Sequence, residues 1–254
     1  MKLVIMTLVL DGMPYITHHL PVLNKLDCDW EWRIVEGVAA PVRDTSWCKQ
    51  VEPRLSTDGT SEYLSEIERH PRVRVLRNTL WPGKTAMCNA AIAGIDEPYL
   101  LMQVDSDELW TTGQLETVRQ IFAQHPEKNC ARFDCRYFVG HHIFTERRGV
   151  YGNRGGEWMR VFRMEPGMVF DTHEPPRILG VKPEVLDNDF TSSMGLKFHH
   201  YAYATEKQLR FKEEYYGYAG AVDGWRRLQA NTAWPAKLRD FFPWVDDGCE
   251  VAPC

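Results

Sequence analysis

One stretch near the middle of the chain constrains the fold more than any other. Residues 99–102 are apolar, and an acidic cluster, Asp-Ser-Asp-Glu, occupies 105–108. An apolar run that breaks into polar residues is typical of a buried strand ending at a sheet edge. Because side chains alternate along an extended chain, Asp105 and Asp107 project from the same side of the strand end. Two converging carboxylates suit a hard divalent cation shared with phosphates, so we expect a nucleotide or nucleotide-sugar substrate.

The same acidic cluster has a second interpretation. Asp-Ser-Asp-Glu can cap the next helix, with Thr111 and Thr112 continuing a polar turn. Short acidic clusters are common after strands, so spacing alone does not separate capping from metal binding.

Composition limits the class of protein. With 254 residues, 44% of them hydrophobic, the chain fits one α/β domain, and two full domains would be cramped. The net charge of -5 is not concentrated in one block, so no nucleic-acid partner is indicated. The apolar run 1–10 meets Asp11 and Gly12 without a cleavage site, which predicts a buried strand rather than a signal peptide. No later run reaches membrane-spanning length. Seven cysteines without a CxxC pair indicate free thiols and a cytoplasmic location.

Strand and helix patterns alternate along the chain. Strands are predicted at 2–10, 31–37, 73–76, 99–103, 130–144 and 157–163, and helices at 15–26, 62–67, 85–94, 115–123 and 206–216. This alternation predicts an α/β fold with a mostly parallel sheet. The segment 38–55 carries prolines and polar residues, so we expect a long loop over the sheet edge.

Several residues are candidates for donor binding. Glu36 ends the second strand, where open α/β sheets place ligand contacts, and its alternative role is an exposed strand-end acid. The tripeptide Gly83-Lys84-Thr85 matches the end of a Walker loop, but Asn78 occupies the position where that motif needs glycine, so no ATPase is indicated. Lys84 and Asn89 still lie where the next helix can present them to a donor, although Lys84 is equally compatible with solvated surface.

The second half adds candidate acid–base residues. His173 and Glu174 directly precede two prolines that stiffen the backbone, and a general base needs such fixed placement. The competing role for Glu174 is a structural salt bridge to Arg160 or Arg177. Asp171 is the nearest alternative base.

Two further features, a histidine pair and a glycine-rich segment, each have two interpretations. His199 and His200 are adjacent on a predicted strand and point to opposite faces, so at most one of them reaches a given metal. Either can instead be a hydrogen-bonded structural residue. The glycine-rich segment 149–156 suits a mobile loop that closes over substrate, or a plain exposed hairpin.

Taken in order, these pieces resemble family-two glycosyltransferases of the GT-A fold up to about Gly217. The matching pieces are the opening strand, the acid in 34–37, the turn 56–60, Lys84 with Asn89, Asp105-Ser106-Asp107, the run 158–163, the run 172–176, and His200-Tyr201 ahead of 207–216. Two features depart from many relatives: the second strand ends in one Glu rather than paired Asp residues, and the loop 38–55 is long.

The resemblance implies a single GT-A-like domain with a Rossmann-like, mostly parallel central sheet flanked by helices and a C-terminal helical tail. The domain is expected over 1–220, and the tail, packed on the domain, over 221–254. Within the domain, 1–110 is expected to bind the nucleotide sugar and 111–220 the acceptor.

The resemblance also implies a chemistry. A UDP- or GDP-sugar donor would bind with Mn²⁺ or Mg²⁺, and the sugar would pass to a glycan or other hydroxyl acceptor with inversion. The implied donor-binding residues are Thr7, Glu36, Asp58, Lys84, Asn89 and Asp105, the implied metal ligands are Asp105, Asp107 and His200, and the implied base is Glu174. Trp158 and the aromatic residues of 137–144 would offer a stacking face to an acceptor sugar.

Two alternatives come from other classes. A nucleotidyltransferase shares the nucleotide-binding sheet and metal carboxylates, but usually carries a Gly-rich basic loop after the first strand, which 8–12 lacks. In a non-catalytic glycan- or nucleotide-binding module, Glu174 and the metal carboxylates would serve no turnover.

Overall fold

The protein is described by a computed structural model that covers residues 1–145, 159–245 and 248–254. The expected mobile loop at 149–156 and the expected stacking residue Trp158 lie outside these ranges.

Short strands and helices make up the described ranges. The strands are β1 Lys2–Val9, β2 Trp30–Ala39, β3 Val73–Trp81, β4 Tyr99–Gln103, β5 Glu108–Leu109, β6 Cys130–Arg132, β7 Cys135–Phe138, β8 Ile143–Thr145, β9 Met159–Met164, β10 Phe170–His173, β11 Pro176–Ile178, β12 Val185–Leu186, β13 Phe198–His200, β14 Ala236–Lys237 and β15 Glu250–Pro253. The helices are α1 His19–Leu23, α2 Thr60–Ile67, α3 Lys84–Ile92, α4 Thr112–Gln124, α5 Asn188–Ser193, α6 Glu206–Phe211 and α7 Ala221–Gln229. Single 3-10 turns lie at Tyr15–His18, Arg43–Thr45 and Leu238–Asp240, and a π-helical turn at Lys212–Tyr216.

The central sheet confirms the expected α/β class. Seven strands lie in the order β12-β6-β9-β4-β1-β2-β3. Strands β3, β2, β1 and β4 are parallel, and β9 inserts antiparallel between β4 and β6. Val9 lies opposite Glu36, and Met6 opposite Gln103, so β1, β2 and β4 end at the same edge. This is the edge at which open α/β sheets bind ligands.

Alternation along β1 builds two core layers. Leu3 and Ile5 face the layer that contains residues of α1, α2 and α4, whereas Val4 and Met6 face the layer that contains α3. All four are at most 2% exposed. Strand residues alternate between the two faces, so a strand with helices on both sides reads as one continuous apolar run. Helices therefore flank the sheet on both faces, as the sequence predicted.

A second sheet lies beyond the end of β4. Its order is β14-β15-β8-β7-β13-β5. The pairing of β13 with β5 sets His200 opposite Glu108, directly beyond the end of β4. The expected tail 221–254 contributes α7, β14 and β15, and β15 pairs with β8. The halves 1–110 and 111–220 share the central sheet, since β6, β9 and β12 belong to it.

Some local predictions were wrong. The third strand extends to Trp81 rather than ending near 76. The acidic cluster does not cap α4, because Thr111 does so through a capping box with Gln114. Glu108 instead enters β5.

None of the seven cysteines, all of which lie in the described ranges, forms a disulfide. Among the described residues, no helix combines the length and apolar character needed to cross a bilayer.

Gly37 is required where β2 bulges against β3. Its φ is +130°, and the register between the strands shifts between Glu36 and Val38. A Cβ at Gly37 would lie 1.8 Å from the carbonyl oxygen of Asn78. Backbone cannot yield as a flexible side chain can, so any side chain here displaces β3.

We therefore expect Gly37→Ala to lower the free energy of unfolding by more than about 3 kcal/mol, measured by urea denaturation. Gly94→Ala is the matched control. Gly94 also has positive φ, at +73°, but nothing lies within 4 Å of its Cβ position. The control should lose roughly 1 kcal/mol. Equal losses in the two variants would show that the close approach to Asn78 does not matter.

Candidate active site

A cavity of about 640 Å³ lies at the edge where β1, β2 and β4 end. Its wall combines strand-end residues with residues of β9, β10, β13, α6 and the π-helical turn. Of the residues predicted for the site, it is lined by Lys84, Asp105, Asp107, Glu174 and His200. Five predicted residues, spread over more than a hundred positions of the chain, therefore face one space.

Asp105 is held by a buried arginine. The guanidinium of Arg160 donates to both carboxylate oxygens of Glu108, with Nη2 2.7 Å from Oε1, and Nη2 also lies 3.2 Å from Oδ2 of Asp105. Burial alone would raise the pKa of Asp105, but the positive charge of Arg160 lowers it below its ordinary value. Burial raises the pKa of Glu108 despite the same arginine. Asp105 is 35% exposed, so its carboxylate still reaches the cavity.

Asp107 faces His200 across the cavity wall. The Nε2 atom of His200 lies 3.5 Å from Oδ1 of Asp107, and Gln208 donates to Oδ2 at 3.5 Å. Burial opposes ionisation, but the imidazole of His200 lowers the pKa of Asp107 to about 2. Asp107 is therefore a carboxylate throughout the neutral range. His199 lies in the same strand but outside the cavity lining, packed against the ring of Phe138.

The Asp107–His200 pair fits a divalent cation. Two ligands bound at about 2.1 Å to one ion lie roughly 3.0–3.5 Å apart, depending on coordination geometry. The observed 3.5 Å falls in this range. Among the described residues no group of three His, Cys, Asp or Glu side chains is arranged as a complete ligand set. Phosphate and water oxygens would have to complete the shell, as is usual for metals that bind phosphates.

The acidic turn itself is positioned by His19. Its Nε2 atom lies 3.0 Å from the carbonyl oxygen of Ser106, between the two aspartates. Burial lowers the pKa of His19 to about 4, so the ring is neutral near pH 7 and can donate a hydrogen bond there.

Two lysines place positive charge in the same cavity. The ammonium groups of Lys84 and Lys212 each lie 5.3 Å from the ring centre of Tyr216. Burial would lower the pKa of Lys84, but Tyr216 and Glu174 raise it; burial lowers the pKa of Lys212. Lys212 begins the π-helical turn, an irregularity that is frequent at functional sites.

Glu174 is fixed by its backbone rather than by its carboxylate. Oδ2 of Asp44 accepts hydrogen bonds from the amides of His173 and Glu174, at 2.7 and 2.8 Å. Arg43, just before Asp44, adopts a left-handed conformation, with φ at 52°. Such conformations persist only where the surroundings fix them. The loop 38–55 thereby reaches across the cavity edge to hold the predicted base.

The competing structural role for Glu174 is not supported. Arg177 donates to Thr172 and Asp171, and Arg160 is engaged by Glu108 and Asp105. The carboxylate of Glu174 is exposed and borders the cavity.

Four residues expected to bind the donor lie outside the cavity lining. Thr7 is buried and donates to the carbonyl of Val104. Glu36, 0% exposed, accepts hydrogen bonds from the amide of Ser56 and the hydroxyl of Ser61.

The other two also hold backbone segments together. Asp58 accepts from the amide of Met13 and pairs with Lys207 at 3.1 Å, and Asn89 exchanges two hydrogen bonds with the backbone of Phe170. In all four cases the side chain joins neighbouring segments of the chain and does not line the cavity.

Sequence reasoning missed several residues of the site. Asp44, Arg160 as a partner of Asp105, and Lys212 carry no local motif. Tyr15 and Gln103 were also missed; both line the cavity, and the hydroxyl of Tyr15 and Oε1 of Gln103 are buried with no hydrogen-bond partner among the described residues. Of the aromatic residues at 137–144, Tyr137 lines the cavity, whereas Phe138 and Phe144 pack against each other.

No protein-family profile matches the sequence, and no curated protein matches it. Among solved structures, the chain is similar to TarS of S. aureus. The TarS 1-349 crystal structure is 16% identical over 64% of this chain and 47% of that chain, with a TM-score of 0.44. The structure of TarS 1-349 in complex with UDP-GlcNAc is 17% identical over 64% of this chain and 45% of that chain, with a TM-score of 0.42.

A third structure is CMP:2-keto-3-deoxy-manno-octonic acid synthetase complexed with CTP. It is 11% identical over 65% of this chain and 72% of that chain, with a TM-score of 0.35. The matched part of this chain spans less than half the length of TarS 1-349.

The contact between Asp44 and the backbone of Glu174 predicts that Asp44 affects the reaction rate and not nucleotide binding. Asp44→Ala removes the acceptor that orients Glu174, while the residues facing Asp107 stay in place. If Glu174 is the base that the sequence predicts, sugar transfer should fall roughly tenfold or more with nucleotide affinity unchanged, because a misplaced base slows the reaction without weakening donor binding. Thermal unfolding should show a loss of about 1–3 kcal/mol.

Arg177→Ala is the matched control for this prediction. Arg177 is exposed and lies on the same hairpin, and its side chain donates only to Thr172 and Asp171 among the described residues. If Asp44→Ala and Arg177→Ala slow transfer equally, Asp44 has no special role.

Proposed function

We propose that this chain is a metal-dependent glycosyltransferase that moves a sugar from a UDP- or GDP-sugar to a hydroxyl acceptor, with inversion. The observation that carries the proposal is one cavity combining a metal-compatible pair, Asp107 and His200, with half-buried positive charge and an exposed carboxylate, Glu174. Metal-dependent transfer of a sugar from a nucleotide diphosphate to a hydroxyl uses all three kinds of group: the metal and the positive charge for the diphosphate, and the carboxylate for the acceptor proton. The strand-edge location of the cavity also suits a nucleotide.

The charges of the cavity suit a diphosphate. Lys84 and Lys212 lie on the wall that includes Tyr216, opposite in charge to the strand-end aspartates. In this proposal their ammonium groups hold the phosphate oxygens and stabilise the leaving diphosphate. Asp107 and His200 would bind Mn²⁺ or Mg²⁺, which supplies Lewis-acid neutralisation of the diphosphate when bound. Asp105, oriented by Arg160, would lie beside the metal and the donor ribose.

Glu174 is the proposed base for the acceptor hydroxyl. Its carboxylate faces the cavity, and its backbone is fixed by Asp44. Glu174 would take the proton from the acceptor hydroxyl as the oxygen attacks the anomeric carbon. The attack comes from the side opposite the bond to the diphosphate, which breaks, and configuration inverts. A sugar-phosphate nucleophile is already ionised and needs no base, so Glu174 favours a hydroxyl acceptor over nucleotidyl transfer.

The first test combines a donor panel with metal removal. Incubation with UDP- and GDP-sugars and Mn²⁺ should give slow release of nucleoside diphosphate, which chelator should abolish. Asp107→Ala should abolish metal-dependent binding of nucleoside diphosphate in calorimetry, since a carboxylate is the strongest ligand of the pair. Release of pyrophosphate from CTP and a sugar phosphate would instead identify a nucleotidyltransferase. Unchanged affinity with and without chelator would remove the metal from the proposal.

The two adjacent histidines supply the control for this test. His200→Ala should weaken metal affinity without eliminating it, because carboxylate and phosphate oxygens remain. His199→Ala removes the same group from the neighbouring position, outside the cavity. It should leave metal affinity unchanged. A larger effect at His199 would overturn the choice of ligand.

The assignment of Glu174 predicts a different pattern. Glu174→Gln removes the base while keeping the shape of the side chain, so transfer should fall by roughly 100-fold or more. Donor affinity and thermal stability should stay near wild type, because the carboxylate is exposed and the Asp44 contacts use the backbone. Normal turnover in this variant would reassign the base, with Asp171 the next candidate.

A further inference from the structure

An exposed tryptophan stands on the cavity wall without an evident structural reason. Trp47 is 46% exposed and belongs to the cavity lining. Its indole stacks on Tyr216, with ring centres 5.2 Å apart and planes at 22°, and lies nearly parallel to Tyr218 at 6.2 Å. Near-parallel stacking covers one face of a ring. An exposure close to half is what a ring with its other face open should show.

The tyrosines beneath Trp47 are themselves supported. Tyr218 stacks on Trp244, with centres 4.7 Å apart and planes at 14°. Tyr216 is held by its hydroxyl, which lies 3.4 Å from the ammonium of Lys84. We call Trp47, Tyr216 and Tyr218 the aromatic platform.

The chain on either side of Trp47 is anchored. Cys48 is buried against Val38 and Tyr215, and the amide of Lys49 donates to the carbonyl of Tyr215 at 2.8 Å. The side chain of Lys49 donates to the carbonyl of Glu213. An exposed indole on anchored backbone is pre-organised, and a flat, fixed aromatic surface binds ligands at low conformational cost.

The platform lies near Glu174, the proposed base. Trp47 follows Asp44 by three residues, and Asp44 holds the backbone of Glu174. Lys84 lies close to both Glu174 and the platform. The charge of Glu174 helps raise the pKa of Lys84, whose ammonium group lies over the ring of Tyr216. A base must touch the acceptor hydroxyl, so a ring bound beside Glu174 belongs to the acceptor.

We propose that the aromatic platform binds a pyranose ring of the acceptor, with Trp47 stacking on the C–H face of the sugar. The proposal rests on the proposed function, because it places the acceptor by the position of the base. A pyranose has an apolar C–H face for the indole and peripheral hydroxyls for polar groups. The exposed carboxylate of Glu214, which also lines the cavity, is suited to accept from such hydroxyls. The acceptor is thus a glycan or glycoside rather than a lipid or a protein hydroxyl.

Saturation-transfer NMR tests this without relying on turnover. The probes are the methyl glycosides of glucose, galactose and N-acetylglucosamine at millimolar concentration, with glycerol as a ringless polyol. Wild type should transfer saturation to the ring C–H protons of at least one glycoside and not to glycerol. Trp47→Ala should weaken binding about three- to tenfold, the range for one lost ring-stacking contact. Trp47→Phe should restore part of it.

Leu179→Ala is the control, since Leu179 is a large exposed apolar residue outside the cavity lining. It should leave the signal unchanged. No saturation of any glycoside by wild type, or equal signals with wild type and Trp47→Ala, would overturn the proposal. If Trp47→Ala instead weakens binding of UDP or GDP, the platform stacks a nucleobase and the acceptor assignment is wrong.

Donor hydrolysis separates this inference from the proposed function. Water replaces the acceptor in that reaction, so hydrolysis by wild type tests the proposed function without any acceptor bound at the platform. Wild type that hydrolyses no nucleotide sugar contradicts the proposed function itself. Wild-type hydrolysis together with an unaffected glycoside signal in Trp47→Ala contradicts the platform alone.

Discussion

The cavity depends on the buried ion pair between Arg160 and Glu108. Their side chains are 5% and 0% exposed, and the guanidinium contacts both oxygens of the carboxylate. Removing one partner of such a pair typically costs roughly 3–5 kcal/mol, because the other charge is left buried and unpaired. The pair joins β9 of the central sheet to β5 of the second sheet, and it holds Asp105 between them. The two sheets therefore meet at a fixed distance around the acidic turn.

Charge in the cavity is divided between two walls. On the strand-end wall, Asp105 and Asp107 are each matched by a neighbouring cationic or imidazole group. On the other, Lys84 and Lys212 lie against tyrosine rings. Cation–π contacts hold an ammonium group without neutralising it, so both lysines keep charge for an anionic ligand. This arrangement favours a ligand that carries phosphate, and it suits the low dielectric of a cavity, where such charges act strongly.

The long loop 38–55 contributes to the site in two ways, although it contains no regular strand or α-helix beyond Ala39. Asp44 fixes the backbone of Glu174, and Trp47 carries the exposed ring of the aromatic platform. A loop that packs on both β10 and the π-helical turn can place the proposed base and the proposed acceptor surface together. The length of this loop, which departs from the family pattern that the sequence resembles, thus has a structural use here.

The sequence by itself determined the parallel strands and the acidic turn, because strand burial and side-chain alternation are local patterns. It located Asp105, Asp107, Lys84, Glu174 and His200, which all line the cavity. It did not show that Glu36 and Asn89 turn to neighbouring backbone, or that Arg160 holds Asp105. Only the tertiary structure decided these, because such contacts join residues tens of positions apart, and their geometry depends on how two sheets and a loop pack together. Local spacing carries no record of that packing.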